Sequence, residues 1–173
     1  GHYRHLLFAP RNYEQHNDPR QWRRGLCVHW QRMFLHTMMK ALDAPSREEC
    51  TAERPRSNTP NAALVLLNDP TFVEAARVFA HKIVTKGGKS FDQRINYSFQ
   101  HALNRDPDIE EKAVFRKLLE STLSKYDGQE DQASQLGKAG MSPAATDIPP
   151  AELAAWTAVS RTLFNLYEFT YRN

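Results

Sequence analysis

From Thr59 onward the chain is cut into segments by helix start and stop signals, and this punctuation constrains the fold most. Thr59 stands before Pro60, a capping hydroxyl followed by a residue whose fixed φ suits a first helical turn. A short helix through Leu67 is expected. Asp69-Pro70 repeats the device and opens a longer helix, with Phe72, Ala76, Phe79 and Ile83 on one face and Gly87-Gly88 as its stop. Ser90 and Gln93 make a capping box ahead of Ile95, Phe99, Ala102 and Leu103. Asp108 and Glu111 make a looser one ahead of Phe115, Leu119, Thr122 and Tyr126, and Gly128 closes that segment. A further short helix is expected over 130–139 and a loop rich in Ala, Pro and Ser over 140–150. The last helix is expected from Pro150 to Tyr171, with Leu153, Trp156, Val159, Leu163 and Leu166 inward. Phe164, Tyr167 and Tyr171 fall on its other sides, so it carries apolar surface nearly all round and belongs at the centre. The reading is all-α: an orthogonal multi-helix bundle.

The N-terminal third lacks such punctuation and is expected to be irregular. Residues 1–21 show no sustained periodicity and read as an arm, leaving 22–173 as a single helical domain. Between them and the bundle, 25–30 suits a short strand and 33–42 a helix. A chain of 173 residues, 40% hydrophobic and 25% charged, buries enough surface to need no metal or disulfide for its core. No apolar run approaches the roughly 18 residues that a membrane-spanning helix requires. Gly1 stands where an initiator Met would, so the chain reads as a piece of something longer.

A net charge of +3 is mild, and its excess lies where Arg20, Arg23, Arg24 and Arg32 flank Trp22 and Trp30. Basic and aromatic residues so mixed are one route to nucleic-acid binding. A cationic surface over buried Trp rings is the plainer reading, and nucleic acid is disfavoured as a partner. Cys27 and Cys50 have neither zinc nor haem-attachment spacing, and read as two buried thiols or as one disulfide.

The densest polar constellation runs from Asp43 to Pro70, with eight charged residues and three internal prolines. Asp43, Glu48 and Glu53 are the candidate catalytic carboxylates, able in principle to form an acid/base pair. Arg47, Arg54, Arg56 and Asn58 are the candidate ligand-binding residues, since guanidinium forks grip anions such as sulfate or uronate. The same residues also suit a structural role, as ion pairs, turns and caps that hold an irregular loop without regular hydrogen bonding. That is the favoured reading. Elsewhere the seven histidines show no HExxH and no carboxylate grouping, so no metal site is expected. Ser46 lacks nucleophile-elbow glycines, and Gly87-Gly88 continues into no phosphate loop.

The run DAPSREECTAERPRSNTPNAALVLLNDPTFVEAARVFA, with Arg23-Arg24-Gly25-Leu26 and Trp30-Gln31-Arg32 before it, closely resembles a bacterial family. That family is the C-terminal domain of unknown function of large planctomycete-type proteins that also carry a cytochrome-c-like haem domain. Pro150 to Thr157 and Asn165 to Phe169 look like its closing helix, so the resemblance covers residues 22–173. The chain departs from the pattern at Cys27, Asn61 and Tyr167, the last standing where an acid often precedes Glu168. The resemblance implies an extracytoplasmic setting, periplasmic or cell-envelope, and glycan use by the larger assembly. It also implies haem elsewhere in the parent chain, with no cofactor and no cofactor-binding residue in this piece. On that basis the chain is expected to be a docking or binding module without catalysis, its partners the rest of the parent chain or a separate protein. The alternative is a glycan-directed enzyme domain using Asp43, Glu48, Glu53, Arg54 and Arg56.

Overall fold

The computed structural model describes Trp22 and residues 37–45, 50–53 and 59–170. The elements of that portion are all α-helices, as the punctuation requires. The chain divides into two compact units, Gly1–Ala62 and Ala63–Asn173. In the first, α1 (Thr37–Ala41) answers to the helical stretch expected over 33–42. The strand expected over 25–30 and the arm boundary at residue 21 lie outside the described residues.

Each expected cap forms. The Thr59 hydroxyl accepts the Ala62 N–H at 3.2 Å and starts α2 (Pro60–Asn68). Asp69 accepts the Thr71 N–H at 2.9 Å and starts α3 (Pro70–Lys86), which ends where the Gly87 N–H bonds to the Ile83 carbonyl. Both halves of the Ser90/Gln93 box are present at the head of α4 (Phe91–Leu103). Asn104, left-handed at φ 59°, turns the chain out of that helix, a conformation Asn accepts at little cost. The Asp108/Glu111 box opens α5 (Ile109–Tyr126) just as fully. After α6 (Glu130–Gly137) and a loop comes α7 (Pro150–Phe164), and α8 (Tyr167–Thr170) ends the described chain.

The second unit is organised around α7. This helix packs on α3, α4, α5, α6 and α8, its contact with α3 being the most extensive. Leu153, Trp156, Val159 and Leu163 are buried, as expected, together with Ala154, Ala155, Thr157 and Ser160. Small residues on α7 and the buried Ala76 and Ala80 of α3 suit a close approach of two helix backbones. The two hydroxyls are tolerated in the core because each bonds back one turn. Thr157 donates to the Leu153 carbonyl at 2.6 Å and Ser160 to the Trp156 carbonyl at 2.9 Å. Ile83, Ile95, Phe99, Phe115 and Ile148 complete the core. Phe99 meets Phe115 edge to face, with ring centroids 5.4 Å apart, and Phe91 lies against Trp156 at 6.2 Å.

The end of the chain departs from expectation. Instead of one helix to Tyr171, α7 stops at Phe164 and a separate turn, α8, follows. The N–H groups of Asn165 and Leu166 bond three residues back, to Thr162 and Leu163, which tightens the last turn and redirects the chain. The reason is aromatic. Phe164, expected off the core, is buried and lies between Phe79 at 5.6 Å and Phe169 at 4.6 Å. A straight continuation would carry Phe169, five residues on, away from that stack.

Trp156→Ala should therefore lower the unfolding free energy by about 3–5 kcal/mol, whereas Leu64→Ala on the exposed side of α2 should stay within about 0.5 kcal/mol. Denaturant titration followed by circular dichroism checks the contrast.

Candidate functional site

Of the candidate carboxylates, Asp43 and Glu53 are among the described residues. Glu48 lies outside them, as do Arg47, Arg54, Arg56 and Asn58. Asp43 ends α1. Its backbone is left-handed at φ 57°, its N–H bonds to the Lys40 carbonyl at 3.3 Å, and the Ala44 N–H bonds to the Met39 carbonyl at 2.9 Å. The paired bonds from positions five and six back to two and one are those of a Schellman turn, and Pro45 then forbids continuation. Asp tolerates this conformation better than most residues with a Cβ. Asp43 thus has a backbone duty that favours its residue type. Glu53 is exposed in an irregular stretch, Cys50–Glu53. In that stretch Cys50 is an exposed free thiol, which corrects both the buried-thiol and the disulfide readings of that residue. The Trp-burial reading also fails at Trp22, which is 48% exposed; Cys27 and Trp30 lie outside the described residues.

The charge clusters that the structure does bring together were not singled out from the sequence. The first lies beneath the loop between α6 and α7. Glu74 and Arg77 of α3 are both buried, one turn apart, within a helix face otherwise apolar. Arg77 spreads its guanidinium over the loop backbone: Nε donates to the Ala139 carbonyl at 3.1 Å, Nη1 to Pro143 at 3.0 Å and Nη2 to Ser142 at 2.7 Å. Glu74 Oε1 accepts both the N–H and the hydroxyl of Ser142 at 2.8 Å. Burial works to raise the Glu74 pKa, but the bonds from Ser142 and Met141 and the Arg77 charge outweigh it and hold the carboxyl ionised below its usual range. Gly140 lets the loop pass this close: φ is +90°, and a Cβ would fall inside the Glu74 carboxylate.

The second cluster joins three elements through Arg105, in the turn between α4 and α5. Its Nε and Nη2 bond to the two carboxylate oxygens of Glu168 at 2.9 and 2.5 Å. Nη1 and Nη2 bond to those of Glu111 at 2.8 and 2.6 Å, and Nη1 also donates to the Asp106 carbonyl at 3.1 Å. All the donors of the guanidinium are thereby engaged. The underside of Arg105 lies over the Phe99 ring at 5.2 Å. Hydrogen bonds from Arg105 lower the pKa of Glu111 and of Glu168, and the same bonds raise that of Arg105. Glu111 meanwhile caps α5, accepting the Asp108 N–H at 2.9 Å.

Two smaller pairs complete the picture. Arg94 Nη1 bonds to Glu152 at 2.7 Å and its Nε to the Gly88 carbonyl at 3.0 Å, tying α4 to α7 and to the turn after α3. His81, which has no carboxylate neighbour in sequence, meets Asp147 through Nε2 at 3.0 and 3.1 Å; this bond lowers the Asp147 pKa. Two groups do not hold a metal, and among the described residues no three ligating side chains converge. An open depression at the start of α6 is lined, among the described residues, by Gly128, Gln129, Glu130, Asp131 and Gln132, one stretch of chain.

A family model described as "Protein of unknown function (DUF1553)", designated PSD1, matches residues 3–119. The chain belongs to this family. The DUF1553 match takes in most of the N-terminal arm, the whole Asp43–Pro70 constellation and the helices through the middle of α5; residues 120–173 lie outside it. No curated protein and no solved structure matches the chain. No helix among the described residues is long and apolar enough to cross a membrane.

Two outcomes follow. Asp43→Val should cost about 1–2 kcal/mol more than Asp43→Asn, because Asn accepts the left-handed turn and a β-branched residue does not. Equilibrium unfolding distinguishes the two. For the Arg105 cluster the glutamate pKa values are depressed on folding, so the stability they supply is present above the ordinary value of 4.5 and is lost as pH falls through the folded values. Arg105→Met should consequently destabilise the domain more at about pH 7 than in acid, the difference shrinking as pH falls through the folded glutamate values. Unfolding curves at neutral and at acid pH give the difference.

Proposed function

We propose that this DUF1553 chain is a helical docking module without catalysis of its own. Its setting is a larger extracytoplasmic protein, of the planctomycete type, whose haem is held by a cytochrome-c-like domain elsewhere in the parent chain. Of the residues that give the resemblance to such proteins, the run from Asp43 to Ala80 falls inside the family match, and those of the closing helix, 150–157 and 165–169, lie outside it. The observation that carries the non-catalytic reading is the saturation of Arg105. A guanidinium whose donors are all engaged by Glu111, Glu168 and a backbone carbonyl has no free fork for a substrate.

Arg77 supports the same reading, with its three nitrogens on loop carbonyls, and so does Asp43, whose place in a helix-ending turn explains it without chemistry. Charges arranged in this way fix one shape for a surface to be presented. The partner on this reading is the remainder of the parent chain or a separate protein, and glycan is what the assembled protein would act on.

The test pairs binding with turnover. The chain, the separately expressed remainder of the parent protein and the two together are assayed against sulfated and neutral glycans, and their association is followed by size-exclusion chromatography. Co-elution with the remainder, and no turnover by the chain alone, is the expected result. Turnover by the chain alone, abolished by Asp43→Asn or Glu53→Gln, would instead establish the glycan-directed enzyme.

A further inference from the structure

The loop between α6 and α7 lies over α3 without regular pairing. Residues 140–148 make no backbone–backbone hydrogen bond with one another or with any other described residue. The two halves of the loop are held by different chemistry. The first half is pinned by charges that do not change near neutrality. Arg77 takes the carbonyls of Ala139, Ser142 and Pro143, and ionised Glu74 takes the N–H and hydroxyl of Ser142. In the second half Ile148 enters the core and Ala145 packs against it. There, among the described residues, the side-chain hydrogen bonding over 144–149 comes down to Asp147, whose two oxygens meet His81 Nε2 at 3.0 and 3.1 Å.

This pair is open to protons from solvent, its side chains being 36% and 56% exposed. The charges around it are otherwise committed. On α3, Arg77 lies one turn before His81 and is spent on the loop carbonyls, while Lys82 beside it is exposed. On α4, Arg94 and Asp92 pair with Glu152 and Arg116, and His101 bonds to the Tyr97 carbonyl. On α7, Glu152 is taken by Arg94, and Arg161 donates to the Leu67 carbonyl. Within the loop itself Lys138 and Asp147 are the charged residues.

We propose that His81 and Asp147 form a proton-dependent latch on the second half of this loop, tight when the imidazole is protonated and slack when it is neutral. A neutral imidazole gives the carboxylate one ordinary hydrogen bond, whereas an imidazolium gives a charge-assisted one of roughly twice the strength. Histidine is the side chain whose ordinary charge change falls between about pH 5 and pH 8. Asp147 stays ionised through that range, since the His81 bond first, and its own N–H second, lower its pKa. The latch therefore loosens as pH rises through the histidine titration, and opens again only in acid strong enough to neutralise Asp147. It stands apart from the docking reading, because it concerns how the loop is held and not what the chain meets.

The test follows the intact ¹⁵N-labelled chain by NMR between about pH 5.5 and about pH 8. Backbone order parameters are measured for Ala144 to Ile148, with Ala139 to Met141, beside the Arg77 and Glu74 anchors, as the internal reference. The expected result is that the amides of 144–148 shift together with the His81 ring resonances and gain order in acid, while the reference amides hold still. His81→Gln and Asp147→Asn, both at part-exposed positions that leave the core intact, should each abolish that pH response. Equal order at the two pH values, a change shared by the reference amides, or a response that survives in either variant would overturn the proposal.

Discussion

The burial of α7 is the constraint on which the rest of the second unit depends. A helix with nine buried residues out of fifteen has no solvent face to spare, so its neighbours must surround it. That requirement places α3 and α5 against it and brings α6 across it. It also decides which polar groups the core admits. Thr157 and Ser160 survive there because their hydroxyls return to the helix's own carbonyls, leaving no unmatched donor at the contact.

Burying α7 creates a second problem: the loop that leads into it must cross α3 without regular backbone pairing. Arg77 and Glu74 solve it from below. Three loop carbonyls and the N–H groups of Met141 and Ser142 find side-chain partners, and the two opposite charges lie close enough to compensate each other. The Arg105 cluster does comparable work at the other end, holding α8 to the α4–α5 turn so that Phe169 can return onto Phe164. In both places, charge is used to hold irregular chain, the role that the sequence suggested for the Asp43–Pro70 segment. In the described part of that segment, Asp43 serves through its backbone, as the left-handed residue that ends α1.

Local signals were legible in this sequence because they are local hydrogen bonds. Thr59, Asp69, Ser90 with Gln93, and Asp108 with Glu111 each bond within three residues, so the residue types and their spacing suffice to place a helix start. The all-α class follows from them. What stayed hidden lies at long range. Arg105 and Glu168 are 63 positions apart, Arg77 and Ser142 65, His81 and Asp147 66, and no spacing rule links such pairs. The one visible hint was Glu74 and Arg77, two opposite charges three apart on an otherwise apolar helix face. The end of α7 is hidden for a related reason, since periodicity continues through Asn165 while the helix breaks where Phe164 stacks between Phe79 and Phe169 and Arg105 holds Glu168.

Membership of a family of unknown function gives the chain relatives without a reaction, so the physical account has to be tested on its own terms. Native-state hydrogen exchange does so most directly, because it reads the opening free energy of each helix separately. If α7 is the pillar, its amides from Trp156 to Leu163 exchange only through global unfolding, with protection equal to the full unfolding free energy and above that of α5 and α6. Exchange of those amides through a smaller, local opening, while α5 stays protected, would contradict the account.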